Sequence, residues 1–219
     1  MADRLESPSV SPRIGAPRWL GVVVLLAIAL HAATKAGDGK LWEMLWACHV
    51  ATTLLGLGIL AGSRRVVGIG FLFHLAIGCP AFLLDVIATQ TTTPTSVLVH
   101  GLPLLAGGLV VARCGLPPRA PLVAWICYLA LQLVSYGLTD PALNINLAHA
   151  AWEPMARVFP GVWAARLMNA AMALTFLAAA AAIVRCWRPQ VRCRASRSLP
   201  SNPPQPKGDS CPWKNGMDP

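Results

Sequence analysis

The chain has 219 residues, of which 55% are hydrophobic and 12% charged, and its net charge is +9. Soluble domains carry about a quarter charged residues, so this composition excludes an ordinary water-soluble fold and makes lipid the expected solvent. The basic residues gather at the chain ends and in two short loops, not along one folded face, which argues against a nucleic-acid partner.

Residues 1–18 hold Pro8, Pro12, Pro17 and the arginines Arg4, Arg13 and Arg18, and read as a disordered arm. The apolar stretch Trp19–Ala33 reads as a signal anchor because more spans follow it, although the small residues of Ala29–Ala33 also offer a cleavage site. A second span is predicted over Leu41–Ala61, a third over Val66–Ala88 and a fourth over Ser96–Ala112. A fifth covers Ala120–Leu138. After a loop with Pro141, Pro154 and Pro160, a sixth covers Trp163–Trp187. At about 1.5 Å per residue most of these cross a core of roughly 30 Å, whereas the first and fourth need flanking residues to do so. Residues 188–219 read as a disordered basic tail lying against anionic lipid. The expected fold is an all-α membrane protein, a bundle of about six transmembrane helices spanning residues 19–187, in the cell membrane.

Orientation follows from lysine and arginine. With six spans, Arg4, Arg13 and Arg18, then Arg64 and Arg65, then Arg113 and Arg119, and finally the tail arginines from Arg185 onward, all fall on one side. The turn Thr89–Thr95 between the third and fourth spans has no basic residue, and Lys35, Lys40 and Arg157 stand beside Asp38, Glu43, Asp140 and Glu153 on the other side. Both termini are therefore expected in the cytoplasm. Seven cysteines occur without a CxxC pair, and Cys186, Cys193 and Cys211 lie in or beside the tail, so no disulfide is expected.

Ionisable groups in lipid are costly and point to function. The topology places Cys48 and His49 roughly 10 to 12 Å below the outer surface and His100 about 6 Å below it. Asp85 stands near the outer end of the third span, and Asn144, Asn146, His149 and Glu153 in the outer loop. His31 also lies near that surface, while His74 is deeper. Pro80 and Pro103 cannot donate to the carbonyls of Ala76 and Val99, and a carbonyl freed in lipid must find another partner. Each kink is either a packing feature or the wall of a cavity.

Cysteine is a strong nucleophile only as thiolate, so a catalytic cysteine in apolar surroundings needs a base. His49 adjoins Cys48 in sequence, but neighbours on a helix point about 100° apart. His100, from another helix at similar depth, is the better base. Asp85, Asn144 or Asn146 are the candidates to orient it, and the asparagine amides or a kinked backbone to stabilise an oxyanion. Two other readings stay open. His49, His100 and His149, with Asp85, form a zinc set, or two of the histidines hold a b-type haem, although no HExxH or HxxxH pattern is present and no cofactor is the leading expectation. Alternatively the histidines are interhelical hydrogen-bonding groups of a non-catalytic transporter subunit or assembly factor.

Cys48-His49-Val50-Ala51-Thr52, then Val97-Leu98-Val99-His100-Gly101-Leu102-Pro103, then Asn144-Ile145-Asn146, followed by Pro154 and Trp163, stand in a telling order. Over Leu41–Leu177 this order resembles the YwaF-like integral membrane family, whose animal members are cysteine-dependent phospholipid acyltransferases. The resemblance implies that Cys48 accepts the acyl group, that His100 is its base and that membrane lipids are the partners. A related branch of membrane hydrolases uses threonine in place of cysteine, so hydrolysis falls within the implied chemistry. The chain is smaller than the animal members, its first span is short, and the stretch around His74 matches no family feature.

Overall fold

The computed structural model describes residues 17–197. The expected arm and most of the expected tail lie outside the described residues. Six helices make up the bundle: α1 Arg18–Gly37, α2 Ala47–Leu60, α3 Arg64–Thr89, α4 Pro94–Cys114, α5 Ala120–Leu138 and α6 Val162–Arg197. Among the described residues there is no strand. Five of the six are long and apolar enough to cross a membrane, and α2, with 14 residues, is shorter. The molecule is an all-helical, multi-pass membrane protein.

Local chemistry sets the boundaries. The Ser63 hydroxyl accepts from the Val66 N–H at the start of α3, and Thr93 caps α4 ahead of Pro94. Gln90 and Gly115 end α3 and α4 with φ of 54° and 76°, and the second of these is a conformation open to glycine at no steric cost. The predicted second span departs from expectation. Leu41–Leu45 forms a tight 3₁₀ turn, Trp46 is extended with ψ 140°, and α2 starts only at Ala47.

Neighbouring helices run antiparallel, which the contacts at the two ends confirm. At one end the Arg64 Nε donates to the Gly115 carbonyl and Arg185 to that of Pro118, so the α2–α3 and α4–α5 connections meet the end of α6's apolar part. At the other end His31 meets Thr95, and Asn146 of the α5–α6 loop meets the start of α2. The arginine-rich loops thus share one end and the mixed-charge loops the other.

The core is built from Leu55, Ile59, Leu72, Phe73 and Leu177, all fully buried. Small residues let α2 and α3 approach closely. A Cβ at Gly70 would lie 2.8 Å from the Leu55 nitrogen. Outward, Leu26, Leu105, Leu167 and Ile183 are exposed, a surface that suits lipid and not water. Exposed tryptophans mark both ends, Trp19 and Trp187 at one, Trp42, Trp152 and Trp163 at the other, as interfacial anchors do.

Candidate functional site

The late start of α2 makes a cavity. Cys48 packs at the level of Gly78 on α3, where an added Cβ would lie 2.9 Å from the Cys48 Cα. Beyond that level α3 continues through the 11 residues Cys79–Thr89, about 16 Å of helix that α2 does not accompany. The space above Cys48 is a cavity of about 470 Å³. His31, His49, Phe82, Asp85 and His100 line it with Cys48, and Lys35, Lys40 and Glu43 stand at its charged side. Lys35 and Glu43 form the ion pair there.

Three of the histidine rings are fixed at Nδ1. In His49 and His100 the partner is a backbone carbonyl, Glu43 at 2.9 Å and Ser96 at 2.7 Å. A carbonyl only accepts, so Nδ1 carries the proton and Nε2 is left as a lone pair. The His31 Nδ1 meets the Thr95 hydroxyl at 3.0 Å. The rings follow one another across four helices, with centroids 4.8 Å apart for His31–His49, 6.2 Å for His49–His100 and 5.6 Å for His74–His100. Phe82 stacks on His100 at 3.9 Å with 11° between the planes, which clamps the imidazole. The His100 Nε2 is buried and has no hydrogen-bond partner among the described residues. A neutral imidazole with a free lone pair, on a residue that lines the same cavity as Cys48, is of the right chemistry to take a proton.

The expected site residues divide into two groups. Cys48, His49, Asp85 and His100 come together around the cavity, with Cys48 half-buried in the first turn of α2. Asp85 is exposed on the cavity wall, and the carbonyl of Ser96, not a carboxylate, orients His100. Asn144, Asn146 and His149 are placed differently. Asn146 splints the broken second span: its Oδ1 accepts from the Ala47 N–H at 2.8 Å, and its Nδ2 donates to the Leu45 carbonyl at 2.8 Å and the Ser135 hydroxyl at 2.9 Å. Both amide protons are thus committed. Asn144 accepts from the N–H groups of His149 and Ala150 and donates to the Ala150 carbonyl, closing the outer loop on itself. Both asparagines are left-handed, with φ 41° and 56°, a region that asparagine tolerates better than most residues. This accounts for the Asn-x-Asn spacing through backbone shape.

His149 lies by a second cavity of about 460 Å³ with Tyr136, Thr139, Pro141 and Val162. The zinc set of His49, His100 and His149 is therefore split between two cavities. Among the described residues no group of three or more His, Cys, Asp and Glu is placed to hold a metal ion.

Sequence reasoning missed Thr52 and Phe82, while His74, expected as an interhelical hydrogen-bonding group, meets the His100 carbonyl on the neighbouring helix. Pro103 frees the Val99 carbonyl, and the Thr52 hydroxyl donates to that carbonyl from 3.1 Å. Pro80 has a different solution: α3 widens to a π-helical stretch over His74–Gly78, just before it. The helix-breaking prolines were visible, but which side chain answers them is a property of packing. Also unforeseen is Arg166 on α6, buried, with its guanidinium 3.7 Å from the Tyr136 ring and its Nε donating to the Ala148 carbonyl. Comparison with family models, with curated proteins and with solved structures gives no match to this chain.

Proposed function

We propose that the chain is a membrane-lipid acyltransferase or hydrolase in which Cys48 is the nucleophile and His100 its base. The observation that carries this reading is the shared cavity: Cys48 and His100 line the same 470 Å³ space, and the His100 Nε2 has no hydrogen-bond partner among the described residues. The order of the Cys48, His100 and Asn144–Asn146 segments supports it by resemblance to the YwaF-like family. The arginines at the opposite end of the bundle support an outward-facing cavity with cytoplasmic termini, and a multi-pass protein of this kind has membrane lipids at hand as substrates.

The reaction runs in two balanced steps. The Cys48 sulfur attacks an ester carbonyl while its proton passes to the His100 Nε2. The tetrahedral intermediate collapses to a thioester, and the leaving alcohol takes that proton from His100. An acceptor hydroxyl, or water, then attacks the thioester and gives its proton to His100. The sulfur leaves and recovers the proton. The start of α2 places the partial positive charge of a helix N-terminus beside the sulfur, which favours negative charge developing there.

The test is expression of the full chain with Cys48→Ala and His100→Ala, lipid profiling and labelling by a thiol-reactive acyl probe. Cys48→Ala is expected to abolish the labelling of that residue and His100→Ala to slow it by about 10²- to 10⁴-fold. Unchanged lipids and unchanged labelling in both variants would overturn the reading.

A further inference from the structure

His74 is fully buried on α3, and its ring lies between the two turns that carry the proposed nucleophile and base. Nε2 is 3.0 Å from the carbonyl of His100 on α4. Nδ1 is 3.3 Å from the carbonyl of Cys48 on α2 and 3.4 Å from the Thr52 hydroxyl. A neutral imidazole has one N–H. The shorter contact assigns it to Nε2, which donates to the His100 carbonyl, and leaves Nδ1 among the polar atoms of the Cys48 turn.

The surroundings converge on the same junction. The single Thr52 hydroxyl proton is shared between the Cys48 carbonyl of its own helix at 2.8 Å and the Val99 carbonyl of α4 at 3.1 Å, a second contact between α2 and α4. The π-helical stretch of α3 begins at His74 itself and ends at Gly78, whose missing Cβ lets α3 touch Cys48. An added Cβ there would lie 2.9 Å from the Cys48 Cβ and 3.3 Å from the His74 Nδ1. A widened helical turn rotates the residues that follow it relative to those before it, and such stretches recur at functional sites.

We propose that His74 is a positioning residue, whose imidazole sets the separation of the Cys48 turn from the His100 turn without touching substrate. The inference rests on the Cys48–His100 reading. The physical reason is leverage: the ring is hydrogen-bonded to the His100 carbonyl through Nε2 and packs its Nδ1 edge against the Cys48 turn, so it spans the two residues that must face each other. A misplacement of about 1 Å between reacting groups costs on the order of a hundredfold in rate.

The experiment measures alkylation of Cys48 by N-ethylmaleimide as a function of pH, on the full chain in detergent. The Cys48→Ala protein is subtracted to remove the other thiols, and melting temperature is recorded for each variant. His100→Ala defines the profile of a thiol without its base. His74→Leu, which keeps bulk and removes the hydrogen bond to the His100 carbonyl, is expected to melt within a few degrees of the wild type, to lose on the order of tenfold or more in rate and to follow the His100→Ala profile. His74→Gln, whose amide can still donate to the His100 carbonyl, is expected to return part of the way. Should His74→Leu fail to fold, Gly78→Ala decides, because it forces the same junction apart with the imidazole intact. It is expected to move the profile in the same direction. A folded His74→Leu with the wild-type profile, or a wild-type profile for Gly78→Ala in that fallback, overturns the positioning role alone. A wild-type profile for His100→Ala overturns the catalytic pair and this inference with it.

Discussion

Asn146 shows how one side chain decides what a broken span can do. It satisfies the Ala47 N–H and donates to both Leu45 and Ser135, while its own carbonyl accepts from Gln132 at 3.2 Å. Replacing it with alanine leaves buried groups on both sides of the Trp46 break without partners, at about 1–3 kcal/mol for each. Asn146→Ala is expected to lower the melting temperature markedly and to slow Cys48 labelling. Asn146→Asp keeps the acceptor for Ala47, loses both donors and is expected to fall between alanine and the wild type. Thermal denaturation in detergent measures the series. Phe82 makes a gentler case, because its ring stacks on His100 without a hydrogen bond. Phe82→Leu is expected to preserve the fold and reduce the labelling rate several-fold. Cys48 and His100 were legible in the sequence as candidates by residue type and order, and the structure brings both to one cavity. The clamp of Ser96 and Phe82 was not legible, because neither residue type signals chemistry on its own.

At the level of helices, the two prolines have different consequences. Pro103 leaves the Val99 carbonyl to Thr52, whose one proton it shares with the Cys48 carbonyl, so α4 draws on α2 for a hydrogen bond it cannot make internally. This predicts coupling. Thr52→Val is expected to destabilise the protein by about 1–2 kcal/mol, and by less in a Pro103→Ala background, where the backbone N–H at 103 can serve Val99. Equal costs in both backgrounds, read by denaturation, would show that Thr52 does not answer the proline. The sequence pattern located all six helices to within a few residues at most ends, because apolar runs bounded by Gly, Pro and charge leave little choice in lipid. It failed at Leu41–Trp46, which is apolar enough to continue a helix but turns away. What stops α2 is Asn146, 99 residues away from the N–H it caps. No local reading can supply that.

Across the whole molecule, the separation of charge is the feature that the chain carries in its loops. Lys35 and Glu43 pair at the cavity mouth, partly exposed, and such pairs contribute about 0–1 kcal/mol. Lys35→Met is accordingly expected to leave the melting temperature within a few degrees. The arginine-rich end predicts sidedness: a cysteine introduced at Thr92, by the cavity, reacts with an impermeant maleimide added outside intact cells, while Cys186 does not. Labelling of Cys186 from outside would reverse the orientation. Composition, span lengths and loop charges were sufficient, by themselves, to determine a helical membrane bundle and which loops share an end, because the cost of exposing backbone and charge to lipid is paid segment by segment. The tertiary structure alone decided where α2 begins, that its late start opens a cavity over Cys48, that His149 belongs to another cavity, and that His74 bridges the two turns below. Those features depend on hydrogen bonds and close approaches between residues far apart in the chain, and such pairings exist only once the helices have packed.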